Sequence, residues 1–381
     1  MMTLLRRFLR VCHIGNLPLE KSVSRRLMGS TAKSTSHNSL SLTAKRRRGE
    51  KITMVTAYDY PSAVHVARAG IDIVLVGDSV AMVEMGLQTT QPATMEHMLH
   101  HCQMVQRGLD FAANSSHTNS ELGGNKKSYS PTPMLVADMP FGSYEYEDTD
   151  YALRNAYRFV KEAGADAVKI EGGSIARAKT VEKIVSGGVA VMGHVGLTPQ
   201  AISVIGGFRA QGRTATRART LVDEALRLQD AGVFAIVLEC VPATVGTAIT
   251  NTLEIPTIGI GAGGGTSGQV LVFHDMLGML SHPHHEAFMP KFCKRYASIG
   301  HEIQVGLKEF KEDVQSCIFP GDNFSPYIMT ESEQELFAKL LEMDEKEREQ
   351  NEEKVAKKLT EADEYEQLKL YGGGDETKND T

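Results

Sequence analysis

The chain of 381 residues has no tryptophan and only five cysteines. The cysteines show no CxxC spacing, so neither a zinc site nor a disulfide framework is indicated, and a reducing compartment fits. No run approaches the roughly 18 apolar residues of a membrane span, so we expect no membrane partner. GxGxxG is missing from the first βα unit, and GxxxxGK[ST] and GxSxG are missing throughout, so dinucleotide-binding, P-loop and nucleophile-elbow sites lack support.

Acidic residues are almost absent from the first 49 residues, which carry eleven Lys and Arg against the single Glu20, while the remainder has a net charge of −16. The opening MMTLLRRFLRVCHIG mixes arginines with apolar residues and has no unbroken apolar run of about 7–15 residues, as a secretory signal would need. We expect residues 1–40 to be a disordered mitochondrial transit peptide that directs the protein to the matrix. A basic arm that binds nucleic acid is the alternative, supported by KRRR at 45–48.

Short β-type runs alternate with amphipathic stretches between residue 51 and about residue 280. Because the runs are rich in Val, Ile and Leu without strict alternation, they are typical of parallel strands buried on both faces. Eight units predict a (β/α)₈ TIM barrel over residues 45–325, with an open doubly wound sheet as the competitor. The runs are ITMVTA (52–57), IDIVLVGD (71–78), PMLVADMP (133–140), AVKIEGG (167–173), AVMGHVG (190–196), FAIVLECVP (234–242), PTIGIGAG (256–263) and a weaker eighth, LVFHDMLG (271–278).

Two segments depart from this alternation. Residues 109–130 are rich in Ser, Asn, Gly and Lys without a period, which predicts a surface insertion in the loop before the third strand. Residues 330–381 hold seventeen acids and eight bases, and we expect a charged helical or disordered C-terminal extension.

Five polar residues stand at the carboxyl ends of predicted strands, where the active sites of such barrels lie. Like charges gathered in a partly dry pocket repel each other unless a cation neutralises them or some become protonated. Carboxylates select Mg²⁺ over zinc. Asp78 and Asp138 are the best pair of ligands, because they follow adjacent strands. The five residues are Asp78, Asp138, Glu171, His194 and Glu239.

Three further motifs have weaker implications. Lys169 lies two residues before Glu171, on the same strand face, and its charge suits a substrate carboxylate. The glycine-rich GIGAGGGTSG (259–268) follows the seventh strand, where many barrels bind phosphate through loop amides. SHPHHE (281–286) contains three histidines, but its spacing matches no standard metal site, so a polar loop is the better interpretation.

Seven motifs in order make the chain resemble the 3-methyl-2-oxobutanoate (ketopantoate) hydroxymethyltransferase family over about residues 50 to 320. The resemblance implies a (β/α)₈ barrel of the phosphoenolpyruvate/pyruvate group. It also implies transfer of a one-carbon unit from 5,10-methylenetetrahydrofolate to 3-methyl-2-oxobutanoate, giving 2-dehydropantoate for pantothenate synthesis. The motifs are VGDS (76–79), ADMPF (137–141), KIEGG (169–173), GHVGLTPQ (193–200), GGFRAQGR (206–213), LECVP (238–242) and GIGAG (259–263).

The same resemblance implies a role for each matching residue. Asp78 and Asp138 resemble Mg²⁺ ligands, and Glu171 holds a metal-bound water. Glu239 resembles the general base. The residues that resemble the family's oxoacid-binding residues are Ser79, Asp138, Lys169 and His194. Family members form rings of ten subunits in bacteria, so a homo-oligomer, with a decamer as one form, is implied here.

Two other functions remain open from the residues. One is a Mg²⁺-dependent carbon–carbon lyase or mutase of the same barrel group, acting on an oxoacid without folate. The other is an inactive barrel that serves as a scaffold through its acidic tail. Four intact charges at the predicted mouth argue against the scaffold, because buried charges without a ligand are costly.

Overall fold

Eight parallel strands close into a barrel in chain order, β1 to β8, in a computed structural model that describes residues 36–115, 131–145, 147–207, 209–279, 290–325 and 327–371. Each strand pairs with the next, and β1 pairs with β8 to complete the ring. The predicted (β/α)₈ barrel is therefore confirmed and the open sheet is excluded. The strands are β1 (Ile52–Thr56), β2 (Ile73–Val76), β3 (Met134–Asp138), β4 (Ala167–Glu171), β5 (Ala190–Gly196), β6 (Ala235–Glu239), β7 (Thr257–Ile260) and β8 (Gly268–Leu271).

The described helices surround the barrel or follow it in the chain. Helices α4, α5, α6 and α8 lie outside the strands and alternate with them, as the predicted βα units require. The helices are α1 (Ser39–Arg47), α2 (Tyr60–Arg68), α3 (Val80–Val83), α4 (Met95–Ser115), α5 (Thr149–Ala163), α6 (Ile175–Ser186), α7 (Ile202–Ile205), α8 (Ala215–Asp230), α9 (Ala243–Thr252), α10 (Phe273–Leu277), α11 (Ile299–Gln315) and α12 (Glu331–Tyr371).

Helix α5 shows how local sequence sets these outer elements. Asp148 caps its first turn by accepting from the Asp150 N–H, and Gly164 ends it in the left-handed conformation that glycine adopts without steric cost. Its buried residues recur at the helical period, so one stripe faces the barrel: Ala152, Ala156, Phe159 and Ala163.

Alternation along each strand divides the core into two layers. One set of side chains points outward against the helices, as Val74 and Val168 do. The other set fills the barrel interior, where Met54, Val136 and Val237 belong to one buried cluster. Because successive strand residues point to opposite faces, the interior positions nearest the carboxyl ends fall on the polar residues of the predicted site.

The eighth strand is not the predicted LVFHDMLG segment. Strand β8 is Gly268–Leu271, and most of that segment is helix α10. The glycine-rich residues 261–267 return the chain from the end of β7 to the start of β8 where a helix normally runs. They pack tightly on α9, because a Cβ on Gly265 would lie 2.1 Å from Thr247 Oγ1 and one on Gly246 would lie 2.5 Å from Ala262 O.

The return is hydrogen-bonded to neighbouring strands, and phosphate binding by GIGAGGGTSG stays a prediction. Thr257 N–H donates to Ser267 Oγ at 3.2 Å, and Ile52 N–H donates to the Ser267 carbonyl at 3.1 Å, so the segment is bound to its own strands. The glycines allow a short connection to pass close to a helix, which explains their number without a ligand.

The other end of the barrel is covered by helix α1. Leu42 is fully buried and belongs to the cluster inside the barrel. Lys45 Nζ lies 2.6 Å from Asp72 Oδ1, and the Arg46 guanidinium donates to carbonyls at the C-terminal end of α9, where the helix dipole favours a cation. Two of the basic residues of KRRR therefore have partners within the barrel, which weakens the interpretation of that motif as a nucleic-acid arm.

Two predicted boundaries need correction. The transit segment was placed at 1–40, but Ser36 bridges to Thr132 and Asn38 caps α1, so residues 36–40 are part of the folded unit. The expectation for residues 1–35 lies outside the described residues. The insertion was placed from residue 109, but α4 continues to Ser115 with Leu109 buried, because apolar residues still recur on its inner face. Its remainder, 116–130, also lies outside the described residues.

The chain divides into two compact units, one ending at Gly300 and one beginning at His301. This division lies before the expected barrel end at residue 325. The second unit contains most of α11 and the whole of α12, a single helix of 41 residues in the predicted charged extension. Among the residues that the structure describes, no helix is both long and apolar enough to span a membrane.

Candidate active site

The carboxyl ends of the strands surround a cavity of about 880 Å³. Asp138, Glu171 and Glu239 are the last residues of β3, β4 and β6, and His194 lies in β5. Asp78 follows β2 at the start of the loop to α3. The structure brings every predicted site residue to this one cavity: Asp78, Ser79, Asp138, Lys169, Glu171, His194 and Glu239.

Asp78 and Asp138 form a buried pair of carboxylates. The Asp78 N–H donates to Asp138 Oδ2 at 3.0 Å, which brings the two residues together at the ends of neighbouring strands. Burial and the charges of Asp138 and Glu171 raise the pKa of Asp78 to about 8. Burial also raises the pKa of Asp138. Both shifts mean that ionised carboxylates at this position need a further positive charge.

Lys169 supplies part of that charge. Its Nζ lies 2.8 Å from Asp138 Oδ1 and is almost fully buried. Burial disfavours the ammonium, but the charges of Asp138, Glu171 and Asp78 outweigh it and raise the pKa of Lys169 above its ordinary value. Asp138 Oδ1 is therefore paired with the ammonium, while its Oδ2 accepts from the Asp78 N–H.

His194 lies between two carboxylates. Its Nδ1 is 3.4 Å from Glu171 Oε1, and its Nε2 is 3.3 Å from Glu239 Oε2. Burial and Lys169 oppose a charged ring, but Glu171 and Glu239 outweigh them and raise the pKa of His194 to about 9. In return the hydrogen bond with His194 lowers the pKa of Glu171, although burial alone would raise it. Lys169 Nζ also lies 3.3 Å from His194 Nδ1, so the ring is surrounded by two carboxylates and one ammonium.

The backbone at Glu239 packs closely against the backbone at the end of β5. Leu197 N–H donates to the Glu239 carbonyl at 2.8 Å, and a Cβ on Gly196 would lie 2.2 Å from that oxygen. Only glycine allows this approach. Cys240 has a φ of 50°, which a non-glycine residue seldom adopts and which turns the chain directly after Glu239. The position of Glu239 is therefore set by the main chain of two strands.

Ser79 faces the same cavity from the first turn of α3. Its Oγ shares a hydrogen bond of 2.7 Å with the hydroxyl of Tyr58, which is fully buried. Tyr58 was not singled out from the sequence, because a tyrosine after an apolar strand is more often a core residue.

Gln200 and Tyr144 are the other site residues that sequence reasoning missed. Gln200 Nε2 donates to Asp78 Oδ2 at 2.9 Å, and Tyr144 OH donates to Gln200 Oε1. Burial raises the pKa of Tyr144 well above its usual value, so the phenol keeps its proton. Gln200 ends the motif GHVGLTPQ, which was the available signal, whereas nothing in the sequence marks Tyr144.

The donor set fits a hard cation held by two carboxylates. Among the described residues, no group of three or more His, Cys, Asp or Glu side chains has the arrangement of a metal site. Glu171 is thus not brought into one three-ligand set with Asp78 and Asp138. Two adjacent buried carboxylates, both of raised pKa, match the one or two protein ligands that Mg²⁺ usually takes. The histidines of SHPHHE lie outside the described residues.

Comparison with known proteins gives a consistent result. The family model described as ketopantoate hydroxymethyltransferase matches residues 37–322. A relative from Oryza sativa subsp. japonica, named 3-methyl-2-oxobutanoate hydroxymethyltransferase 1, mitochondrial, is 52% identical over 301 residues, which cover 79% of this chain and 77% of the relative. The protein of that name from Arabidopsis thaliana is 52% identical over 292 residues, covering 77% and 78%.

A solved structure of 2,3-dimethylmalate lyase, a member of the PEP mutase/isocitrate lyase superfamily, aligns with a TM-score of 0.42 and 13% identity, covering 81% of this chain and 98% of that one. The family match extends from the start of α1 past the barrel, and the sequence identity to both plant enzymes extends over more than three quarters of the chain. This chain therefore belongs to the ketopantoate hydroxymethyltransferase family.

Proposed function

We propose that this chain transfers a one-carbon unit from 5,10-methylenetetrahydrofolate to 3-methyl-2-oxobutanoate, giving 2-dehydropantoate. The observation that carries the proposal is the placement of Glu239 relative to the aspartates. In a closed ring of eight strands, β6 lies opposite β2, so Glu239 faces Asp78 across one cavity. An oxoacid between them would have its oxygens on one side and a base on the other.

Asp78 and Asp138 are the residues that would hold Mg²⁺, with Glu171 nearby to hold a water of the ion. When bound, the ion supplies Lewis-acid stabilisation for the charge that develops on the oxoacid, an effect worth several kcal/mol in such sites. It would also supply the positive charge that the raised pKa of Asp78 calls for.

Glu239 is the proposed general base. It takes the proton from C3 of the oxoacid, and C3 then forms a carbon–carbon bond with the methylene carbon of the folate. The two bonds from the methylene carbon to the folate nitrogens break, and water provides the hydroxyl group of the product. The proton from C3 and the second proton of water pass to those two nitrogens, and tetrahydrofolate leaves. Glu239 is the most accessible acid of the group, with a side chain 18% exposed, which suits a base that must reach the substrate.

His194 and Lys169 supply the fixed positive charges of the site. His194 lies 3.3 Å from Glu239 and holds one face of that carboxylate, so the base keeps its orientation. Lys169 and Ser79 would bind the carboxylate of the oxoacid. Because both are held by buried partners, Asp138 and Tyr58, they need little rearrangement when the substrate binds.

The cavity is much larger than a small oxoacid requires, which supports a second and bulkier substrate. Apolar side chains line part of it, including Leu197, Val241 and Phe292. Three cationic side chains also line it and would suit the glutamate carboxylates of a folate: Arg209, Arg213 and Lys291.

The cellular setting is proposed on separate grounds. The plant relatives are named as mitochondrial, and the basic first 35 residues precede the folded unit. We propose that the protein acts in the mitochondrial matrix as a homo-oligomer on small-molecule substrates.

An assay with and without folate tests this function. Protein beginning at residue 36 should convert 3-methyl-2-oxobutanoate only when methylenetetrahydrofolate and Mg²⁺ are both present, and it should restore growth to a pantothenate-requiring strain that lacks the transferase. Asp138→Ala should lose both Mg²⁺ dependence and oxoacid affinity. Turnover of an oxoacid without folate would instead indicate a lyase or mutase.

A further inference from the structure

Gln200 is a buried residue that contacts two of the carboxylates at the barrel mouth, one through its side-chain amide and one through its backbone N–H. It has no part in the reaction described above. It lies in the 3₁₀ turn Pro199–Ala201 after β5 and is 3% exposed. Its Nε2 donates to Asp78 Oδ2 at 2.9 Å and to the Met139 carbonyl at 3.0 Å. Its backbone N–H donates to Glu171 Oε2 at 3.1 Å. Gln200 therefore links the end of β5 to residues at the ends of β2, β3 and β4.

Tyr144 fixes which way the amide points. Glu171 N–H donates to the Tyr144 hydroxyl at 3.3 Å, and that hydroxyl donates its single proton to Gln200 Oε1. A flipped amide would place its oxygen against the Met139 carbonyl, which can only accept. The hydrogen-bond network therefore allows one orientation, with Nε2 facing Asp78.

We propose that Gln200, oriented by Tyr144, is a positioning residue for the Mg²⁺ site. Its hydrogen bond to Oδ2 would fix the orientation of the Asp78 carboxylate, which would hold the ion together with Asp138. This inference rests on the proposed function, because it assumes that Asp78 and Asp138 hold the metal. Partners that orient the ligands of a metal are a general requirement of such sites.

Metal binding by the free protein tests the inference without an activity assay. Gln200→Leu keeps a side chain of similar size but removes the donor to Asp78. Both proteins are titrated with Mg²⁺ alone in a calorimeter. The Mg²⁺ affinity of Gln200→Leu should be lower than that of the wild type by roughly 10- to 100-fold. Wild-type affinity in a folded Gln200→Leu protein would overturn the proposal.

Tyr144→Phe gives a second measurement that disturbs the site less. The amide keeps its donors but loses the partner that orients it, so Mg²⁺ affinity should fall by less than in Gln200→Leu. If Gln200→Leu does not fold, Tyr144→Phe decides, and wild-type affinity in that variant would contradict the inference.

Gln91→Leu is the matched control. Gln91 Nε2 donates to the backbone carbonyl of Gln200 at 3.0 Å and to Ser203 Oγ at 3.1 Å, so this variant removes a glutamine that touches the same residue but not the Asp78 contact. Its Mg²⁺ affinity should equal that of the wild type. If Gln91→Leu lost as much Mg²⁺ affinity as Gln200→Leu, the cause would be disruption of the turn and not the loss of the contact with Asp78, which would contradict the proposal.

Kinetics separate a positioning role from a general structural one. If Gln200 acts only by orienting Asp78, kcat of Gln200→Leu should recover toward the wild-type value at saturating Mg²⁺, while the Mg²⁺ concentration for half activity rises. A kcat that stays low at saturating Mg²⁺ would refute the positioning role. Absence of Mg²⁺ binding by the wild type would be a failure of the proposed function itself and is distinguishable from both results.

Discussion

The two ends of the barrel use charged residues in opposite ways. At the amino-terminal end, Asp72 is surrounded by donors, with Lys45 Nζ at 2.6 Å and the backbone and hydroxyl of Thr53 at 2.8 and 2.9 Å. At the carboxyl-terminal end, three buried carboxylates share Lys169 and His194, and the pKa of Asp78 is raised to about 8. The first end is electrostatically satisfied, whereas at the second end burial and neighbouring carboxylates disfavour an ionised Asp78.

This difference separates stability from function within one fold. The satisfied end has Leu42 buried inside the barrel in one cluster with Ile52 and Met54, so its residues contribute to folding. The unsatisfied end surrounds the cavity, and its charges cost free energy that a bound ion and substrate recover. Substitutions at the two ends should therefore change different measurements.

The largest effect is expected at the carboxyl-terminal end. Glu239→Gln removes the proposed base but retains its size, so kcat should fall by roughly 10²-fold or more while oxoacid and Mg²⁺ binding persist. The free energy of unfolding should stay equal or rise slightly, because one carboxylate of the group becomes neutral. Steady-state kinetics and urea unfolding of the same preparation measure both. Unchanged turnover would remove Glu239 from the base role.

The next effect is expected at the amino-terminal end. Leu42→Ala opens space at the bottom of the barrel core and should reduce the free energy of unfolding by about 2–5 kcal/mol. Because Leu42 does not line the cavity, kcat and the Mg²⁺ requirement of the folded protein should not change. Urea unfolding gives the first quantity and kinetics below the transition give the second. A matching loss of kcat would show that the two ends are coupled.

A smaller effect with a defined pH dependence is expected for Asp72→Asn. Although burial alone would raise the pKa of Asp72, the hydrogen bonds from Lys45 and Thr53 outweigh it and lower that pKa. The stability from the carboxylate is thus present above the unfolded pKa and lost as the pH falls through the folded pKa. At neutral pH the variant should lose about 2 kcal/mol, as expected for hydrogen bonds to a charged group.

Urea unfolding of the wild type and Asp72→Asn at several pH values checks this sign. The difference between the two proteins should shrink as the pH is lowered. A difference that is constant or grows toward acid would mean that charge is not the stabilising property of Asp72.

The smallest effect is expected away from both ends. Lys183 Nζ lies 2.7 Å from Asp150 Oδ1 on the outer helices, where solvent screens the pair. Lys183→Ala should leave the thermal midpoint and kcat within experimental error of the wild type. A shift as large as that of Asp72→Asn would mean that ion-pair exposure does not explain the contrast between the ends.

Sequence reasoning predicted the barrel and the meeting of the polar strand-end residues at one end of it. Both predictions depend on local sequence pattern. Runs such as AVKIE and AIVLE need no distant information to be recognised as buried strands, and in parallel strands the last residues share one end. The eighth strand was placed wrongly because Gly268–Leu271 is short and follows a glycine-rich return without a helix. The boundaries at residues 40 and 109 were misplaced although local signals were present, namely the Asn38 cap of α1 and the apolar residues Leu109 and Ala112 on the inner face of α4.

The sequence by itself therefore determined the positions of seven of the eight strands, the polarity of the strand ends and the charge of the terminal segments, since these follow from residues adjacent in the chain. Only the tertiary structure decided that Gln200 would meet Asp78, 122 positions away, that Lys45 would pair with Asp72, and that His194 would lie between Glu171 and Glu239. Such contacts form when the ring closes and depend on distances across the barrel, which no local pattern records.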